Sequence, residues 1–102
     1  MTRVAVARLE ALTAGTPRLV ETEGRRIVLV RAGDTVYAIA DTCAHKGGPL
    51  SEGKLSGTRL ACPWHGWHYD VKTGQCVFPG RGAAVASYPV EVADGDVFVQ
   101  LP

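Results

Sequence analysis

From Arg3 to Arg8 the chain reads RVAVAR, with valines and alanines alternating at the two-residue period of a strand. The stretch LEALTAGTP that follows has room for at most one helical turn before Gly15 and Pro17 stop it. Three apolar, β-branched runs come next, RLVET, RRIVLVR and TVYAIA, separated by EGR and AGD. Short Gly-containing separators between such runs are hairpin signals, so three antiparallel strands are predicted. Between Asp41 and about Ala84 the pattern changes. Glycine and proline crowd in, and the apolar runs shrink to TRLAC, WHYDV and QCVF, the last two joined by a KTG turn. Alternation returns in SYPVEVA, a DGD turn and VFVQLP, a further hairpin expected to close on the first strands. The pattern therefore predicts an all-β domain spanning 1–102. Its antiparallel base covers about 1–40 and 85–102, and an inserted functional segment covers about 41–84.

Composition narrows this picture without redirecting it. A chain of 102 residues fits one domain, and 12 glycines with 6 prolines suit many turns and short strands. Eleven Lys and Arg against ten Asp and Glu leave a net charge of +1, so no polybasic field exists for nucleic acid or anionic lipid. Arg3 and Arg8 interrupt the apolar N-terminal stretch, so neither a signal peptide nor a membrane span is expected there. A cytoplasmic monomer without a nucleic-acid or membrane partner is the expectation.

The chemistry concentrates in CAHKGGPLSEGKLSGTRLACPWHGWHYD, residues 43–70. In a reducing compartment, cysteines interleaved with histidines read as metal ligands before they read as disulfides. Cys43 and His45 are separated by one residue, Cys62 and His65 by two, with sixteen residues between the pairs. Structural zinc sites of the Cys2His2 kind place like ligands together, whereas each pair here holds one cysteine and one histidine. A two-iron cluster suits the mixed pairs if one iron takes both thiolates and the other both imidazoles. Each loop then contributes one ligand to each iron.

CAH followed by CPWHGW resembles the signature of Rieske [2Fe-2S] proteins, in which two histidines replace two cysteines on one iron. The resemblance implies a Rieske fold, an antiparallel β-sandwich base carrying an inserted two-loop cluster-binding subdomain. It implies one [2Fe-2S] cluster per chain, with Cys43 and Cys62 on one iron and His45 and His65 on the other. With neutral imidazoles the oxidised cluster and its ligands sum to zero charge, so an electron is accepted more readily than by an all-cysteine cluster. Rieske potentials accordingly lie at roughly −150 to +300 mV, against about −400 mV for plant-type ferredoxins. The free ring nitrogens couple reduction to protonation, so the potential is expected to fall as pH rises through the histidine pKa values.

Departures from the respiratory members of that family refine the expectation. Gly48 and Trp64 stand where those proteins carry a loop-bridging disulfide, and Trp67 stands where they carry a sulfide-bonding serine. Tyr69 aligns with a family tyrosine whose hydroxyl bonds a cysteine sulfur. Together these imply a potential at the low end of the Rieske range. Gly47, Gly48 and Gly66 suit tight turns or N–H groups aimed at sulfur, and Pro79 resembles part of a covering loop. His68 is expected to serve packing or surface, and Cys76 to be a small buried hydrophobe.

Function follows from what else the chain contains. With His45 and His65 used, His68 alone remains, too little for the two-histidine, one-carboxylate iron site of a ring-hydroxylating oxygenase. No GxGxxG follows a strand, so no hydride is taken from a nicotinamide directly. The resemblance implies an electron-transfer component rather than an enzyme: a ferredoxin of aromatic hydrocarbon catabolism. It would pass electrons from a flavin NAD(P)H ferredoxin reductase to a terminal ring-hydroxylating dioxygenase. The small Rieske subunit of an assimilatory NAD(P)H nitrite reductase is the alternative. A structural zinc module is a remote one.

Overall fold

The computed structural model describes residues 2–44, 47–64, 66–80 and 82–102. Among them there is no α-helix, and no helix is long and apolar enough to cross a membrane. Eleven strands run β1 Thr2–Arg8, β2 Arg18–Thr22, β3 Arg25–Ala32, β4 Thr35–Ala40, β5 Lys54–Ser56, β6 Arg59–Ala61, β7 His68–Asp70, β8 Cys76–Phe78, β9 Ser87–Tyr88, β10 Val90–Ala93 and β11 Asp96–Leu101. Short 3-10 turns at Leu9–Ala11 and Leu50–Glu52 interrupt them. The first is the single helical turn expected before Gly15.

The strands form three antiparallel sheets, in the orders β1-β11-β10, β2-β3-β4-β9 and β5-β6-β7-β8. The predicted β2-β3-β4 meander is present, and the β10–β11 hairpin closes on β1 as expected. Hairpin turns at Glu23-Gly24 and Asp94-Gly95 place positive φ angles at both central residues, the geometry whose twist matches paired strands.

SYPVEVA behaves differently from its sequence pattern. Ser87 and Tyr88 pair with Ile39 and Ala38 of β4, whereas Val90–Ala93 pair with β11 in another sheet. Pro89 stands at the crossing. Lacking an N–H, it cannot continue a ladder, yet its carbonyl accepts the Gln100 N–H at 3.0 Å. One apolar run thus stitches two sheets together.

The β3 sequence Ile27-Val28-Leu29-Val30 is wholly excluded from solvent, which a strand with one wet face would not be. Ile27 and Leu29 point into a core with Val36, Ala38, Val97, Val99 and Leu101, between the first two sheets. Val28 and Val30 point the other way, into a core with Leu50, Leu60, Tyr69, Val71 and the three cysteines. The middle sheet therefore carries a core on each face. Cys43 and Cys62 themselves are buried in this second core.

Candidate metal centre

The described residues of two six-residue segments, 43–48 and 62–67, share one hydrogen-bond pattern. The Cys43 N–H donates to the Gly48 carbonyl at 2.9 Å, and the Cys62 N–H donates to the Trp67 carbonyl at 2.7 Å. In return the Cys43 carbonyl accepts from Gly47 N–H at 2.9 Å, and the Cys62 carbonyl from Gly66 N–H at 3.0 Å. Gly47 and Gly66 hold φ of 75° and 72°, a left-handed turn that a Cβ would strain. The amides of Gly47 and Gly66 thus close turns onto cysteine carbonyls, which is the turn role foreseen for them. The loop mouths match as well: Thr42 bridges Pro49 as Ala61 pairs with His68.

The loops face each other closely. A Cβ on Gly48 would stand 2.9 Å from Cys62 Sγ and 3.0 Å from Trp64 Cδ2, so only glycine fits between the second loop's sulfur and its indole. Past the first loop, Gly53 lies so tightly on the Ala61 carbonyl that a Cβ there would overlap it. Cys43 and Cys62 are each 2% exposed. Cysteine sulfur buried in this way, repeated in two matching loops that touch, is a donor set suited to a soft metal or an iron–sulfur cluster.

Tyr69, fully buried in β7, directs its hydroxyl at the first loop. The oxygen accepts the Ala44 N–H at 3.0 Å and lies 3.2 Å from Cys43 Sγ. Burial, and then the bond to Cys43, pushes the phenol pKa above its usual value, while the Ala44 N–H opposes the rise. Tyr69 is therefore a neutral donor at ordinary pH. Its hydroxyl lies within hydrogen-bond reach of Cys43 Sγ, either atom being able to donate, and a deprotonated sulfur would take the phenol proton.

The family model for the Rieske [2Fe-2S] domain matches residues 2–89, a span that contains both loops and the sheet beneath them. This chain belongs to the Rieske [2Fe-2S] family. Ferredoxin CarAc of Metapseudomonas resinovorans is 38% identical to it over 86 residues, covering 83% of this chain and 80% of the relative. The ferredoxin of carbazole 1,9a-dioxygenase from Nocardioides aromaticivorans IC177 superposes with a TM-score of 0.90 at 32% identity, covering 97% of each chain. A chain in a complex of reduced oxygenase and oxidised ferredoxin of carbazole 1,9a-dioxygenase superposes at 0.89 with 35% identity, covering 95% of this chain and all of its own. By contrast, this chain spans 17% of the length of the methylxanthine N1-demethylase NdmA of Pseudomonas putida. The all-β Rieske fold and a [2Fe-2S] cofactor follow, and the zinc alternative falls away. The buried thiols of the paired loops fit such a cluster.

Of the four ligand positions read from the sequence, Cys43 and Cys62 lie in one buried cluster, while His45 and His65 lie outside the described residues. Trp67 is half-buried and packs on the core beneath the cysteines, whereas Trp64 is 57% exposed and touches Gly48 with one edge. His68 stacks edge-on against Phe78, with ring centroids 5.9 Å apart, a packing role as expected. Cys76 is buried, with its thiol donating to the Phe78 carbonyl at 3.2 Å. Two contributors escaped the sequence pattern. Asp41 is a buried carboxylate beside the first loop, and Gly53 joins that loop to β6. Their signals are a lone charge and a lone glycine, which no motif marks.

Proposed function

We propose that this chain is a one-electron carrier that takes electrons from a flavin NAD(P)H ferredoxin reductase and delivers them to a terminal aromatic-ring dioxygenase. In this reading Cys43 and Cys62 hold one iron, and His45 and His65 hold the other. The base about 1–40 and 85–102 supports a cluster-binding subdomain of about 41–84. The chain works as a cytoplasmic monomer, without nucleic-acid or membrane partners. The observation that carries the proposal is the pair of buried thiols in matching, touching loops. The ferredoxins of carbazole dioxygenase systems among its relatives support the choice of partners and make the nitrite reductase reading the weaker one.

When bound, the cluster supplies a reversible one-electron couple. The chain's own residues set the surroundings. Cys43 and Cys62 present sulfur from a floor of Leu50, Leu60 and Val71 that water does not reach. Trp67 adds apolar cover at the rim, and Tyr69 offers a hydroxyl proton to Cys43 Sγ. Hydrogen bonds and low dielectric around the sulfurs are the levers that tune such a couple.

The deciding experiment combines anaerobically purified chain with a flavin ferredoxin reductase, NADH and a carbazole-type terminal oxygenase. Product formation that requires the chain, together with iron and sulfide in equal amounts, is the expected result. No turnover with any ring-hydroxylating oxygenase, alongside co-purification with a sirohaem protein, would replace this reading with the nitrite reductase one.

A further inference from the structure

The two ligand loops share a backbone pattern but not the support beneath it. Loop 62–67 crowns a β-hairpin: below the Ala61–His68 pair, the β6–β7 ladder continues through Leu60–Tyr69 and Arg59–Asp70. Loop 43–48 has no such stem. Below the Thr42–Pro49 bridge one side ends at β4 and the other enters the 3-10 turn at Leu50–Glu52. Pro49 has no N–H to give, and the 3-10 turn carries the chain out of register with β4.

Asp41 fills that gap. Its carbonyl accepts the Leu50 N–H at 2.6 Å, the last ladder-like bond of the neck. Beyond it the side chain takes over, with Oδ1 accepting the Ser51 N–H at 2.6 Å. The other oxygen, Oδ2, lies 3.4 Å from Arg26 Nη2 on β3, and the Asp41 N–H donates to the Arg26 carbonyl at 3.0 Å. The carboxylate is 1% exposed, the sole buried charged group among the described residues. Burial of a charge is costly unless it is bonded, and its bonds are those that close the loop.

We propose that Asp41 is a positioning residue for the iron–sulfur centre. Its carboxylate replaces the missing strand pair under the first ligand loop by tying Ser51, past the loop's far end, to Asp41, whose own N–H is held by β3, and so fixes Cys43 relative to Cys62. This rests on loop 43–48 being one of the two cluster loops. Arg26 is half exposed and its contact is long, so the Ser51 N–H bond carries more of the effect.

The test uses the cluster-loaded protein and reads the rate at which its visible absorption bleaches under a chelator. The reduced EPR spectrum and the unfolding temperature are recorded alongside. Asp41→Asn keeps an oxygen for Ser51 but loses the charge, and is expected to bleach up to about tenfold faster, the usual gap between a hydrogen bond to a charged group and one to a neutral group. Asp41→Ala should bleach faster still, and both should shift the EPR g-values. Arg26→Gln should bleach within about threefold of wild type, in line with an exposed pair. Val99→Ala, in the core on the far side of β3, is the control. It should lower the unfolding temperature at least as much as Asp41→Asn, with wild-type bleaching and EPR. Bleaching that simply tracks unfolding temperature across all the variants would overturn the positioning role, as would an Asp41→Asn protein that bleaches at the wild-type rate. A colourless wild type would overturn the cluster reading itself, a result distinct from either.

Discussion

The hydroxyl of Tyr69 sits 3.2 Å from Cys43 Sγ while accepting the Ala44 N–H at 3.0 Å, so one buried phenol holds both the first cysteine of the loop and the residue after it. Strand geometry places it there. Residues 68 and 70 of β7 are partly exposed and Tyr69 is wholly buried, the alternation of a strand with one covered face. Its cross-strand partners are Leu60 and Cys76, so the ring is clamped on both sides before its hydroxyl reaches the loop.

Replacing Tyr69 with Phe should lower the midpoint potential by tens of millivolts. Sulfur gains negative charge on reduction, so the lost hydrogen bond favoured the reduced state. If the bond is about 1 kcal/mol stronger in the reduced state, its loss corresponds to about 40 mV, on the scale of ~59 mV per tenfold change for one electron. The variant should also lose about 1 kcal/mol of stability, because the part-buried Ala44 N–H loses its bond to the phenol oxygen. Protein-film voltammetry and chemical denaturation check the two parts. A potential unchanged within error would remove Tyr69 from the tuning of the cluster.

Gly48→Ala should damage the centre more than its size suggests. The new methyl meets Cys62 Sγ at 2.9 Å and Trp64 Cδ2 at 3.0 Å. The half-exposed indole can swing away, but a buried sulfur in a closed turn cannot. Overpacking of this kind costs about 1–3 kcal/mol, and here the strain falls on the sulfur proposed as a ligand. Iron content per chain should drop and the reduced EPR signal broaden. Gly57→Ala is the comparison: nothing lies within 4 Å of its Cβ position, although its φ is +62°. It should cost about 1–2 kcal/mol of backbone strain with full iron content.

Much of the fold and of the metal centre is legible in the sequence. Alternating valines, β-branched runs and Gly-centred turns announce β1 to β4 and the β10–β11 hairpin, because those signals are local. The paired Cys and His spacing announces the metal centre for the same reason. What stays hidden depends on contacts far apart in sequence. Pro89 splits one apolar run between two sheets, which no pattern within SYPVEVA reveals. The strand Lys54–Ser56 is too short and polar to register as one, and forms because β6 offers it a partner. Asp41 reads as no more than the end of a strand. Its role exists only because Ser51 N–H, ten positions on, returns to it.

Cys76→Ser should retain a full cluster, whereas Cys43→Ser and Cys62→Ser should lose it. Cys76 is buried within the same core but spends its thiol on the Phe78 carbonyl, two residues along its own strand. A serine hydroxyl can make that bond, so the expected cost is limited to swapping a small apolar sulfur for oxygen, about 1–2 kcal/mol. Iron and sulfide analysis of the three purified variants decides the matter. Colour lost from Cys76→Ser and kept in Cys43→Ser would reverse the assignment of the thiols.

The two cores on either face of β3 predict that stability and potential separate. Leu29→Ala opens a hole between the first two sheets, and Leu60→Ala opens one beneath the loops. Both leucines are completely buried, so each truncation should cost about 2–5 kcal/mol. Leu60, however, is the cross-strand partner of Tyr69, and a cavity beside that ring loosens the hydroxyl that meets Cys43 Sγ. Leu60→Ala should therefore move the potential downward, in the same direction as Tyr69→Phe, while Leu29→Ala leaves it unchanged at comparable loss of stability. In the double variant Leu60→Ala/Tyr69→Phe the two shifts should be less than additive, because both act through one hydrogen bond. Additive shifts, or an equal shift from Leu29→Ala, would show that the potential follows general loosening of the domain instead of the Tyr69–Cys43 contact.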